Sequence, residues 1–227
     1  MDVPVIAIDG PSGSGKGTVA RQVARRLGWH LLDSGALYRL VALAGAERGL
    51  AQDDEPGHAA VAAALAAEFQ ADPAGNERIL LDGREVTLKL RTEAAGAAAS
   101  RVAAMPEVRK ALYSRQRAYA TAPGLVADGR DMGTVVFTDA PLKVYLTASA
   151  AERALRRYKQ LKEKGLTANL ADLSLDIEER DRRDSTRPVA PLRPAPDAEI
   201  IDSTGMPVEE VVDRVLALAG HRIPANL

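Results

Sequence analysis

The segment GPSGSGKGT, residues 10–18, places glycines, a lysine and hydroxyls where a backbone could close around phosphate oxygens. Glycines let successive N–H groups point inward, and a helix that follows adds its positive N-terminal end. The usual pattern of such a loop is glycine, four variable residues, glycine, lysine, then serine or threonine. Gly10, Gly15 and Lys16 fit, with Pro11, Ser12, Gly13 and Ser14 as the variable residues. The eighth position is Gly17, and the hydroxyl arrives one residue late as Thr18. Lys16 is expected to reach the β- and γ-phosphates of a nucleoside triphosphate as a point charge.

The second chemical resource is arginine. Lysine and arginine together number 30, and 23 of these are arginine. A guanidinium donates two parallel hydrogen bonds and so suits phosphate better than an ammonium does. Three segments concentrate such groups: DSGALYR (33–39), ADGRDMGTVVF (127–137) and ERDRRDSTRPVAPL (179–192). Arg180, Asp184 and Arg187 stand at i, i+4 and i+7, a spacing that predicts one face of a helix. Arg153 and Arg157 are also four apart, with Arg156 alongside. The histidines, at 30, 58 and 221, are too scattered for a zinc site, and the absence of cysteine excludes disulfides and thiol chemistry.

These groups need elements to hold them. VPVIAID (3–9) is a short apolar run that ends at Gly10 and predicts a buried parallel strand. Val19, Val23 and Leu27 recur every four residues among arginines and predict an amphipathic helix after the loop. HLLD (30–33) reads as a second strand, and Ser34 as the cap of a helix to about Arg48. Residues 59–68 are alanine-rich and predict a helix; ILLDGREVT (79–87) carries Asp82-Gly83, a hairpin signal. Helices are predicted over 92–104, from Pro106 to Tyr119, and over 150–164, 170–186 and 207–219. LVAD (125–128), KVYLTA (143–148) and EIID (199–202) read as strands, and Pro188, Pro191, Pro194 and Pro196 interrupt the chain between the last two groups. Strands alternating with helices imply an α/β fold, with a parallel sheet covered on both faces. Ser34, Arg39, Asp128, Arg130 and Asp131 then fall at the carboxyl edge of that sheet, where such folds bind ligands. Trp29, Phe69, Val144 and Leu146 are expected in the core, and His30 as a packed or capping residue.

The bulk composition sets limits. The net charge of −1 gives no footprint for nucleic acid or anionic membrane. No apolar run approaches the ~20 residues of a membrane span. The first strand begins near Pro4 and leads straight into the loop, so no signal peptide is expected. The expected setting is a cytoplasmic monomer acting on small molecules.

The Gly-Lys-Gly-Thr form of the loop resembles nucleoside monophosphate kinases, and there is no Asn-Lys-x-Asp for reading guanine. With DSGALYR, ADGRDMGTVVF and ERDRRDSTRPVAPL in order, the chain is similar to the bacterial cytidylate kinases over nearly its whole length. That resemblance implies a five-stranded parallel sheet with an inserted monophosphate-binding region and a helical lid. The divisions it suggests are 1–33 core, 34–110 insert, 111–150 core, 151–188 lid and 189–227 core. It implies transfer of the γ-phosphoryl of ATP to CMP or dCMP, with residues 10–18 holding ATP. The acceptor would lie on Ser34, Tyr38, Arg39, Arg91, Ser100, Arg109, Arg130, Asp131, Arg180, Asp184 and Arg187. Lys16, Arg130, Arg156 and Arg187 would act on the moving group. Magnesium would come with ATP, held mainly through phosphates and water and without a protein metal site. Asp131 with Ser100 would accept from the cytosine amine, Arg109 would donate to the ring nitrogen, and Arg180 and Asp184 would meet the ribose hydroxyls. The alternatives are another small-molecule kinase on this scaffold, for adenylate, uridylate or shikimate, or an ATPase that transfers nothing to a small molecule.

Overall fold

The computed structural model describes residues 3–71, 77–163 and 167–223. Residue 164, the expected end of one helix, lies outside them, as do residues 164–166 of the expected lid and 72–76 of the expected insert. The chain forms two compact units, Met1–Asp33 with Gln116–Leu227, and Ser34–Arg115.

The larger unit is built on a five-stranded parallel sheet. Its strands are β1 (Val5–Asp9), β2 (His30–Asp33), β6 (Leu125–Gly129), β7 (Leu142–Thr147) and β8 (Glu199–Asp202). Their spatial order is β2-β6-β1-β7-β8. β1 is central, pairing Val5 with Leu125 on one side and Ile6 with Leu142 on the other. All five of its residues are buried, which is why VIAID reads as an unbroken apolar run rather than an alternation. Helix α1 (Lys16–Leu27) buries Val19, Ala20, Val23 and Ala24 against the sheet. α9 (Val208–Arg222) adds Val211, Val212, Val215 and Ala219 to the same cluster. Burying each such aliphatic side chain contributes about 1.5–3 kcal/mol. Helices α7 (Ala150–Glu163) and α8 (Leu170–Thr186) pack on each other. Val144 and Leu146 are core, whereas Trp29 is only partly buried and packs at the core's margin. His30 is exposed, and its ring Nε2 lies 2.9 Å from the Ala122 carbonyl oxygen.

Two local features depart from the periodicity. Arg187 does not continue the face of Arg180 and Asp184: α8 ends at Thr186, and Arg187 is extended at φ −61°, ψ 140°. Pro188 follows, and its ring disfavours helical backbone in the residue before it. Residues Met132–Val136 form a single π-helical turn directly after β6, a rare element often found at functional sites.

The smaller unit holds α2 (Ser34–Glu47), α3 (Glu55–Ala63), α4 (Thr87–Leu90), α5 (Glu93–Val102) and α6 (Pro106–Arg117, to Arg115 in this unit). It also holds an antiparallel sheet of β3 (Ala67–Ala71), β4 (Glu77–Leu81) and β5 (Arg84–Glu85). The β4–β5 turn is Asp82-Gly83, with φ of 49° and 73°, the positive pair that a two-residue hairpin requires. The alanine-rich helix is shifted from the expected 59–68 to Glu55–Ala63. It ends at Ala63, and 67–71 is a strand. The strand is fixed by partners distant in sequence: Phe69 pairs with Ile79, and Arg115 donates to the carbonyls of Leu65 and Ala67. Phe69 is half-buried there and is not a core residue.

Candidate active site

The loop between β1 and α1 is closely packed at two of its glycines. A Cβ on Gly10 would stand 2.0 Å from the Leu146 carbonyl oxygen, and one on Gly13 would stand 3.1 Å from Arg153 Cβ. Gly15 has φ 88° and precedes α1, whose first residue is Lys16. The N–H groups of Thr18 and Val19 both bond to the Gly15 carbonyl at 3.0 Å. Lys16 is buried and donates to the Pro11 carbonyl at 3.0 Å.

The position of Gly17 has a steric cause. A Cβ there would lie 3.0 Å from Asp128 Oδ2. Asp128 belongs to β6 and pairs in register with Asp33 of β2. Burial pulls the Lys16 ammonium well below its ordinary range, reinforced by Arg130 and opposed by Asp128. Burial likewise pushes the Asp128 carboxyl up, opposed by Lys16. A serine or threonine at position 17 would crowd this carboxylate, which would have to give by a few tenths of an ångström.

Arginines from α7 and α8 meet the loop from the other side. Arg153, only 5 % exposed, donates to the carbonyls of Ala148 (3.0 Å) and Ser12 (2.9 Å) and pairs with Asp181. Arg156 donates to the Ser14 carbonyl at 3.2 Å, and to the hydroxyl and carbonyl of Ser203 at 3.0 and 2.6 Å. Arg180 reaches the Ser12 hydroxyl at 3.1 Å. Arg130 pairs with Asp184 at 3.2 Å, and Arg187 lies 3.7 Å from Asp131, both side chains being buried. Arg187 Nε also donates to the Ala190 carbonyl. Gly10–Thr18, Arg130, Asp131, Arg156, Arg180, Asp184 and Arg187 thus share one unit, and Arg156 and Arg180 bond directly to the loop. Arg157 donates to Gln160 at 3.2 Å.

The remaining expected residues lie on the smaller unit. Ser34, Tyr38 and Arg39 project from α2, Ser100 from α5 and Arg109 from α6. α2 and α5 pack together. Arg39 donates to the Leu90 carbonyl. Arg109 is buried, lies 5.8 Å from the centre of the Tyr38 ring and donates to Ala103 at 3.2 Å. Arg91 is exposed beside Glu77 at 3.5 Å.

Sequence reasoning missed two buried polar groups at this edge of the sheet, Asp9 and Ser203, and noted Arg153 by its spacing without assigning it to the site. Asp9 accepts from the N–H groups of Met132 and Gly133, at 2.8 Å each. Its only sequence signal is a carboxylate closing an otherwise apolar strand. Ser203 carried no signal.

A parallel sheet with a glycine loop, a buried lysine and arginines gathered on the loop defines a P-loop phosphotransferase fold. A solved structure of an uncharacterized protein from Eubacterium ventriosum shares it, with TM-score 0.54 at 14% identity, over 96% of this chain and 99% of that one. The family model described as cytidylate kinase matches residues 6–221. A cytidylate kinase of Pseudomonas aeruginosa (strain LESB58) is 60% identical over 215 residues, 94% of each chain. One of Colwellia psychrerythraea (strain 34H) is 55% identical over 220 residues, 97% of each. The chain belongs to the cytidylate kinase family.

Proposed function

We propose that this protein transfers the γ-phosphoryl group of ATP to CMP and dCMP, giving ADP and the corresponding diphosphate. The observation that carries this reading is the direct bonding of arginines from α7 and α8 to a Gly-Lys-Gly-Thr loop, within a chain of this family. The loop residues Gly10–Thr18 bind the phosphates of ATP through backbone N–H groups and Lys16. Lys16, Arg130, Arg156 and Arg187 supply positive charge around the moving phosphoryl. Phosphoryl transfer depends on such charge and on alignment more than on covalent help from the protein. The attacking oxygen of a monophosphate is already mostly ionised at neutral pH, its second pKa being about 6. No general base is needed.

The residues we assign to the acceptor are Ser34, Tyr38, Arg39, Arg91, Ser100 and Arg109 on the smaller unit, and Arg130, Asp131, Arg180, Asp184 and Arg187 on the larger. Asp131 with Ser100 accepts from the cytosine amine, and Arg109 donates to the ring nitrogen. Uracil reverses both polarities, and each mismatched buried group costs about 1–3 kcal/mol. Arg180 and Asp184 meet the ribose hydroxyls. Residues 151–188 act as the lid that keeps water from the phosphoryl.

Magnesium fits as a companion of ATP. Among the described residues no three acidic or histidine side chains gather as a metal cage. Asp33 and Asp128 pair in register on adjacent strands, and carboxylate oxygens suit this ion or its waters. When bound, the ion neutralises charge on the phosphates. Among the described residues no helix is long and apolar enough to cross a membrane. The setting we assign is a cytoplasmic monomer.

A coupled assay of ADP formation across a panel of nucleoside monophosphates tests the proposal. CMP and dCMP should far outrun UMP, AMP and shikimate. ATP hydrolysis that is indifferent to CMP would refute the transfer reading.

A further inference from the structure

Asp9 is the last residue of β1, and its carboxylate is buried. Among the described residues its hydrogen-bond partners are two consecutive backbone N–H groups, and it forms no ion pair. Oδ1 accepts from Met132 and Oδ2 from Gly133, at 2.8 Å each. A carboxylate can hold two N–H groups at once because both of its oxygens accept; an amide of the same shape would turn an NH₂ toward one of them. Burial and the nearby carboxylates of Asp131 and Asp128 push the Asp9 carboxyl up to about 7, against the pull of the two N–H groups. Placing an ionisable group here is therefore costly, and a plain spacer would fill the volume more cheaply.

What the clamp holds is the π-helical turn Met132–Val136. The Met132 N–H and the Asp131 carbonyl belong to one planar peptide unit. Asp9 fixes the N–H side of that plane. The N–H groups of Val135 and Val136 fix the carbonyl side, at 2.9 and 3.2 Å from the Asp131 oxygen. The peptide plane that follows Asp131, whose backbone stands at φ −151° and ψ 23°, is thereby held at both its N–H and its carbonyl, and the Asp131 side chain lies 3.7 Å from Arg187.

We infer that Asp9 is a positioning residue for base selection: by holding the turn after β6 it sets where the Asp131 carboxylate stands. The inference rests on the reading that Asp131 recognises the cytosine amine. It adds a residue that does not itself touch the base.

The test compares kcat/KM for CMP and for UMP in Asp9→Asn, Asp131→Ala and the double variant, with ATP affinity measured by calorimetry. Asp131→Ala should abolish the preference for CMP. Asp9→Asn should lower it by about tenfold, the effect of one lost charge-assisted hydrogen bond. ATP affinity should stay within about twofold of wild type, a change of under half a kcal/mol. In the Asp131→Ala background, Asp9→Asn should have no further effect on the preference. A purely structural Asp9 would instead lower the melting temperature and leave the preference intact, and that result overturns the inference. If Asp131→Ala keeps the preference, the base-reading assignment fails and takes this inference with it. If Asp131→Ala loses it while Asp9→Asn does not, the inference alone fails.

Should Asp9→Asn not fold, Gly133→Ala probes the same turn from its other side. Its Cβ would meet Lys143 side-chain carbons at 3.2 Å and Asp9 Oδ2 at 3.4 Å. It should also lower the preference for CMP and spare ATP binding. An unchanged preference in a folded Gly133→Ala protein overturns the inference.

Discussion

Replacing Gly17 by alanine tests why this loop departs from the usual pattern. The added Cβ would stand 3.0 Å from Asp128 Oδ2, against ordinary contact at 3.4 Å or more. One side must yield by about 0.4 Å. Gly17 is anchored in the first turn of α1, so the carboxylate moves, and Lys16 loses its partner's position. A misplacement of about 1 Å in a catalytic assembly can cost a hundredfold, so 0.4 Å should cost on the order of fivefold to tenfold in kcat/KM for ATP. Stability should change far less. Overpacking costs about 1–3 kcal/mol. An alanine in place of a helical glycine returns up to about 1 kcal/mol. The net shift in melting temperature is then a few degrees for a chain of this size. Initial rates with ATP varied at saturating CMP, alongside calorimetric melting, give both numbers. Gly17→Ser should be no better than Gly17→Ala, although it restores the hydroxyl of the usual pattern. In an Asp128→Ala background, the change at position 17 should lose its effect. A Gly17→Ala enzyme with wild-type kcat/KM would refute the claim that Asp128 occupies that space.

Three further outcomes follow from the same geometry. Arg187→Ala should lower kcat at saturating substrates by at least about tenfold, since it removes charge from the moving group; unchanged turnover in initial-rate assays would remove Arg187 from the machinery. Burial lowers the Lys16 pKa in the free protein, whereas bound phosphates favour the ammonium, so ATP binding at alkaline pH should take up protons. Calorimetry in two buffers of different ionisation heat reads that uptake directly, and equal enthalpies in the two would contradict it. The Asp9 carboxyl is raised from 3.8 to about 7, so between those values the folded protein binds more protons than the unfolded chain. Stability from this group is therefore present at low pH and is lost as pH rises toward 7. The melting temperature of wild type relative to Asp9→Asn should fall over that interval; a pH-independent difference would count against it.

Much of the larger unit was legible because its signals are local. β1, β2, β6 and β7 are short apolar runs, and α1 carries its buried residues at fourfold spacing. The hairpin at Asp82-Gly83 was legible for the same reason: two positive φ angles need residues that tolerate them. β3 was not. Its alanine-rich approach favours helix, and only pairing with Ile79 and the reach of Arg115 make it a strand. Arg187 was misplaced because periodicity continues on paper through a residue that Pro188 forces out of the helix. The loop, its lysine and the arginines stood out by residue type and spacing. Asp9 did not, since its role depends on a backbone group 123 residues away, and the spacing of Arg153 did not reveal its bond to Ser12, 141 residues away.

The buried charges share one location, and this explains their cost. Asp9 ends the central strand β1, Asp128 stands one residue before the end of the neighbouring β6, and Lys16 opens the helix that follows β1. A folding chain gains little from such an arrangement: burial drives Lys16 toward neutrality and Asp9 and Asp128 toward protonation. The apolar cluster beneath, from Ile6 and Ile8 to Val212 and Val215, supplies the stability that holds them in place. On the function proposed above, a polyanion on the loop would meet cations already held in place, with little reorganisation left to be done. With Asp128 filling the space beside position 17, the chain keeps a glycine there and a carboxylate against its lysine.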